Sequence, residues 1–126
     1  MGQKSHLTPQ VVLVAEDELL LRMSAADLLE REGYEVVEAG NATEAIRILE
    51  GRDDVRILFT DIQMPGGLDG LALAKLVHER WPEVLLLVTS GGVQVTDEEL
   101  PDHGRFLPKP YGSDDLLTKL QNLSHR

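Results

Sequence analysis

The sequence predicts an α/β fold: a doubly wound, five-stranded parallel sheet with helices on both faces. Three observations lead there. Short apolar runs alternate with segments of helical periodicity along the chain. The runs are continuous and rich in Val, Leu and Ile, which is how a strand buried on both faces reads. Gly, Pro, Asn or acidic residues follow them and suit turns and helix starts. Such alternation implies parallel pairing through right-handed crossovers.

Residues 11–15 (VVLVA) form the first strand. Residues 18–32 show helical spacing, with Leu21, Ala25, Leu28 and Leu29 on one stripe, and Gly33 supplies the stop. Residues 34–39 form the second strand. Asn41 is placed to cap the second helix, with Glu44 in capping-box position. Ala42, Ala45, Ile46 and Leu49 make its buried stripe, and Gly51 ends it. Residues 57–60 form the third strand and run into Asp61. A loop rich in Pro and Gly (QMPGGLDG) leads to a helix over 71–80, which Trp81-Pro82 stops. Residues 84–88 make the fourth strand and 105–108 a short fifth. Ser113 is placed to cap the last helix, with Asp114 and Asp115 at its positive end and Leu116, Leu117, Leu120 and Leu123 facing the core.

A chain of 126 residues suits one domain. Residues 1–9 read as a polar tail, 10–123 as the domain and 124–126 as a second tail. Hydrophobic residues reach 42% but aromatics only 4%, so Leu, Val, Ile and Ala must build the core. No apolar run approaches the roughly 18 residues that cross a bilayer. The N-terminal residues lack the apolar stretch of a signal peptide, so a cytoplasmic location is expected and no membrane partner. The absence of Cys excludes disulfides, thiolate zinc sites and thiol catalysis. The formal net charge of -10 repels nucleic-acid phosphates, so direct nucleic-acid binding is not expected. His6, His78, His103 and His125 share no metal-ligand spacing.

Ligands of open parallel sheets bind at the carboxyl ends of the strands, near the reversal of strand order. The first strand ends in Glu16-Asp17, the third in Asp61, the fourth in Thr89-Ser90-Gly91-Gly92 and the fifth in Lys109-Pro110. If the first and third strands are central neighbours, three carboxylates converge on one pocket. Like charges at close range raise one another's pKa or require a cation. An oxygen-only cluster suits a hard ion such as Mg²⁺.

These four segments (VVLVAEDE, FTDIQMPGGLDG, LLLVTSGG and RFLPKPY) resemble the receiver domain of response regulators in two-component systems. The resemblance covers nearly the whole chain. It implies the flavodoxin-like strand order 2-1-3-4-5 and a signalling switch rather than an enzyme with a separate substrate. Under it Asp61 is the phosphoacceptor. Asp17 is the direct ligand of a Mg²⁺ cofactor, Glu16 the outer acid, and the backbone carbonyl of Gln63 a third ligand beside Asp61. Thr89 is the switch hydroxyl, Lys109 the phosphoryl-pairing lysine and Phe106 the switch aromatic. The Lys109-Pro110 bond matches the family's cis peptide. The implied partners are a histidine kinase or histidine phosphotransferase and a downstream protein target, with the chain a monomer or weak dimer.

Three features depart from the common pattern. The acid pair is Glu-Asp, not Asp-Asp. The loop after Asp61 is one residue longer than usual. Between Thr89 and Lys109, where the family carries a full fourth helix, SGGVQVTDEELPDHGRF holds three Gly and one Pro and lacks an apolar stripe. A short or irregular helix near 96–100 is predicted, so the usual output face is not assured. No output domain is expected after the last helix, which leaves a stand-alone regulator, a relay shuttle or a piece of a hybrid kinase.

Rival readings weigh less. A metal-dependent phosphatase of similar fold needs Asp-x-Asp after the first strand, where this chain has Asp17-Glu18-Leu19. A flavin or nucleotide binder needs a phosphate-cradling loop there, and this one is acidic. The main alternative is a degenerate receiver that binds proteins independently of phosphorylation.

Overall fold

The structure, a computed structural model, describes residues 9–64, 66–101 and 104–124. Its elements run β1 (Val11–Ala15), α1 (Leu19–Arg31), β2 (Glu35–Ala39), α2 (Ala42–Gly51), β3 (Val55–Asp61), α3 (Gly70–Arg80), β4 (Leu85–Ser90), β5 (Arg105–Pro108) and α4 (Ser113–Ser124). All strands pair in parallel in the order β2-β1-β3-β4-β5, the order implied by the resemblance.

Side chains alternate across a strand, so continuous apolar runs fill two separate cores. On one face Val12, Val14, Ile57, Phe59 and Leu87 meet Ala25 and Leu29 of α1 and Leu116, Leu120 and Leu123 of α4. On the other, Leu13, Leu58, Leu86 and Val88 meet α2 through Ala45 and Leu49 and α3 through Leu73 and Val77. Each fully buried leucine stabilises the fold by about 1.5–3 kcal/mol.

Local chemistry sets the ends. Asn41 Oδ1 accepts from the Glu44 amide at 2.8 Å, and Glu44 reaches back to the Gly40 amide at 2.5 Å. Asp69 caps α3 through the Ala72 amide at 2.9 Å. Gly33, at φ 98°, closes α1 in a conformation that glycine tolerates best.

Several boundaries differ from expectation. β3 includes Asp61, and β4 runs on through Thr89 and Ser90. Polar residues end a hydropathy run, but ladder pairing continues as Asp61↔Thr89 and Ser90↔Pro108. Leu21 was expected on the buried stripe of α1 but is 42% exposed; Ala26 is buried with Ala25 and Leu29 instead. Ser113 is the first residue of α4 rather than its cap. The Gly112 carbonyl accepts the first turn's bond from Leu116, and Asp115 accepts from the Gly112 amide. The expected N-terminal tail lies outside the described residues apart from Pro9.

The crossover from β4 to β5 bears out the expected irregularity: its only helical piece among the described residues is a 3₁₀ turn, Asp97–Glu99. Thr96 and Glu99 form a capping box around it. Buried Leu100 takes the helix's place over the sheet and joins Phe106 in the core. Asp97 Oδ1 accepts from the Phe106 amide at 2.9 Å, which occupies a donor on the edge strand β5.

At the start of α3 the backbone nearly touches the end of β3. The Gly70 amide donates to the Ile62 carbonyl at 2.8 Å. A Cβ on Gly70 would lie 2.0 Å from the Asp61 carbonyl oxygen. Gly70→Ala is therefore expected to cost about 1–3 kcal/mol through overpacking, instead of gaining the ~1 kcal/mol that Ala brings to a helix interior. Urea unfolding of the two proteins checks the sign.

Candidate functional site

Parallel strands deliver their carboxyl ends to one edge of the sheet. The β1–β3 pairing sets Ala15 opposite Thr60, so the residues that follow, Glu16-Asp17 and Asp61, emerge side by side. Carboxylate oxygens of Glu16, Asp17 and Asp61 all lie within 4.8 Å of one another. Glu16 and Asp61 are buried, while Asp17 is exposed.

Lys109, carried past the end of β5, brings the opposing charge. Its Nζ sits 2.8 Å from Asp61 Oδ2 and 3.2 Å from Glu16 Oε1. Burial pushes the Glu16 carboxyl above its usual value, against the Glu18 amide, which holds it down from Oε2 at 3.1 Å. Burial alone would lower the Lys109 ammonium; its bonds to Asp61 and Glu16 override that and hold it above its usual value. The lysine is thus firmly cationic between two carboxylates.

The other predicted residues surround this group. The Gln63 amide donates to Asp61 Oδ1 at 3.1 Å, and its exposed side chain lies against Gly92. Gly66 and Gly67 both take positive φ in the loop beyond, which turns the chain back toward Gly70; Pro65, between Met64 and that pair, is outside the described residues. Thr89 lines the same small cavity as Glu16 and Asp61, and its hydroxyl donates to the Leu107 carbonyl at 2.6 Å. Ser90 is committed elsewhere: its Oγ accepts from the Gly92 and Val93 amides. Phe106 is 6% exposed and packs in the core cluster on the opposite face from Leu107. The Lys109-Pro110 peptide is cis.

Residues 12–121 match the family described as the response regulator receiver domain. The chain belongs to this family. As a receiver, it is 34% identical over 117 residues to the transcriptional regulatory protein PdtaR of Mycobacterium tuberculosis, covering 90% of this chain and 56% of that one. It therefore spans little more than half of that relative's length. It is 30% identical over 115 residues to the response regulator receiver protein CpdR of Brucella abortus, covering 89% of this chain and 94% of that one. A solved response regulator receiver protein from Sinorhizobium medicae superposes with a TM-score of 0.83 at 26% identity, covering 91% and 94% of the two chains. The receiver's role is phosphoacceptor signalling in two-component systems. Among the described residues no helix is long and apolar enough to cross a membrane.

Two neighbours of the receiver's site were not legible in the sequence. Arg22 donates from Nη1 to the Glu16 carbonyl at 2.8 Å and from Nε to Glu38 Oε1 at 3.1 Å. Tyr111 lines the cavity shared with Asp61 and Thr89 and packs on Phe59, ring centroids 5.9 Å apart. Arg22 lies outside the four segments that carry the resemblance, and Tyr111 closes the last of them without an expected role; only the fold brings them in.

Removing the lysine leaves two buried carboxylates facing each other. Lys109→Met is expected to destabilise the receiver by about 2–3 kcal/mol without divalent cations, at the low end for a broken buried pair because the lysine is partly exposed. Without the lysine, burial and repulsion act unopposed on the already raised Glu16 carboxyl, so the variant binds more protons folded than unfolded. Its deficit therefore grows as pH rises from 4.5 to 7. Chemical denaturation at both pH values checks this.

Proposed function

We propose that Asp61 accepts a phosphoryl group from the phosphohistidine of a partner histidine kinase or histidine phosphotransferase. Under this reading residues 10–123 act as a cytoplasmic switch, and the phosphorylated form presents an altered surface to a downstream protein. The observation that carries it is the convergence of Asp61, Glu16, Asp17 and Lys109 at one edge of the sheet.

The donor set fits a Mg²⁺ cofactor, because it is all oxygen, carries three carboxylates and leaves Asp17 open to solvent. Glu16, Asp17, Asp61 and the Gln63 carbonyl are the residues that would hold it. When bound, Mg²⁺ supplies positive charge against the clustered carboxylates and the phosphoryl oxygens.

The chain's own residues do the rest. Asp61 Oδ1 is oriented by the Gln63 amide, and Lys109 holds Oδ2. A carboxylate oxygen attacks phosphorus in line; the P–N bond to histidine breaks as the P–O bond forms, and the leaving imidazole takes its proton from solvent. Lys109 is placed to follow the new charge onto the phosphoryl oxygens. Thr89, opposite Asp61 in the ladder, can leave the Leu107 carbonyl to donate to them. Hydrolysis of the acyl phosphate returns Asp61 and free phosphate. Phe106 serves the switch from a side chain already turned inward.

Docking of the phosphodonor has a surface beside the mouth. Leu19, Leu20 and Met23 at the start of α1 are 55%, 77% and 51% exposed. Beside them on α1, Leu21 and Leu28 line a groove of about 410 Å³ together with Lys109 and Tyr111. An apolar rim that ends at Lys109 suits a partner helix presenting histidine to the site.

Incubation with a small phosphodonor and Mg²⁺, read by intact mass, is expected to add one phosphoryl group. Asp61→Asn or chelation of the metal abolishes the addition. A receiver that stays unmodified under saturating donor would instead be a phosphorylation-independent binding module.

A further inference from the structure

The acid-bearing loop that leaves β1 has few restraints of its own. Its amide at Glu16 donates to the Ala39 carbonyl at 3.0 Å, and Glu16 Oε2 accepts from the Glu18 amide. Glu18 precedes α1 without any side-chain cap. Asp17 makes no side-chain hydrogen bond among the described residues, so the backbone alone aims its carboxylate at Asp61. Arg22 holds that backbone. Its guanidinium, on a side chain 18% exposed, ties the Glu16 carbonyl to Glu38 beyond the middle of β2. The fit is close: a Cβ on Gly40 would meet Arg22 Nη1 at 3.3 Å.

We propose that Arg22 is a positioning residue for the divalent-cation site: by pinning the Glu16 carbonyl it fixes the turn into Asp17 and so the distance between Asp17 and Asp61. The inference rests on the reading that residues 16, 17 and 61 hold a divalent cation.

The arginine acts on that site in two opposed ways. Its charge repels a dication; its two-pronged bond orders a ligand. Glu38, at 3.1 Å, offsets the charge, while among the described residues no second side chain donates to the carbonyl. Ordering therefore outweighs repulsion, and the balance has a measurable sign. Lysine keeps the charge but lacks the fork that reaches both partners at once.

Calorimetric titration with Mg²⁺ of the unphosphorylated receiver, Arg22→Met and Arg22→Lys tests this, at a temperature where each is folded by circular dichroism. Residues that orient metal ligands typically contribute 10-fold or more to affinity, so Arg22→Met is expected to weaken Mg²⁺ binding about 10-fold, with Arg22→Lys between it and the parent. A purely structural tie would lower the melting temperature and leave the folded protein's Kd unchanged. Arg22→Met binding Mg²⁺ as tightly as the parent, or more tightly, overturns the proposal. Should Arg22→Met not fold, parent-like affinity in Arg22→Lys overturns it. A parent that binds no Mg²⁺ overturns the metal reading itself, and is distinguished by failing before any variant is compared.

Discussion

Three carboxylates within 4.8 Å of one another must either take up protons or gain a cation among them, and the functional edge of this receiver is organised around that constraint. Lys109 answers it within the chain. It reaches Asp61 and Glu16 together, so the two buried acids stay apart from each other and aligned. The same ammonium is then in place to follow charge from the carboxylate to a phosphoryl group. The extra methylene of Glu16, where Asp is commoner in the family, lets one carboxylate bond both Lys109 and the Glu18 amide.

The sheet makes this convergence inexpensive. Parallel strands order their carboxyl ends along one edge, and the β1–β3–β4 centre sets the acids and the hydroxyl on adjacent strands. Apolar side chains on both faces fix the register, because a slip by one residue would exchange the two cores. The contact of Gly70 with the Asp61 backbone carries the constraint into α3. Stability and site geometry thus depend on the same few strand ends.

Much of this was legible in the residues. VVLVA and LLLV read as buried strands because nothing polar interrupts them, and acids directly after such a run stand out. The glycines and Pro101 in the segment after Thr89 announced an irregular crossover. What escaped depends on tertiary contacts. The polar Thr89 and Ser90 hide the end of β4, since only cross-strand pairing extends it. Leu21 obeys helical periodicity yet faces the open groove between α1 and α4, where no element among the described residues covers it. Arg22 and Tyr111 reach the site from a helix and a loop whose spacing advertises no chemistry. For Phe106 the residues left core packing and a switch role open, and the structure places its side chain in the core beside Leu100.

The central claim is that Glu16, Asp17 and Asp61 surround one divalent ion at the carboxyl edge of the sheet. Substituting Mn²⁺ for Mg²⁺ and following paramagnetic broadening of backbone amide signals tests it most directly. Broadening at the lowest Mn²⁺ levels should centre on residues 16–18, 61–63 and 109, and excess Mg²⁺ should reverse it. Broadening centred on the acids at the far end of the sheet, around Glu50, Asp53 and Asp54, or spread evenly over the acidic surface, would contradict the account.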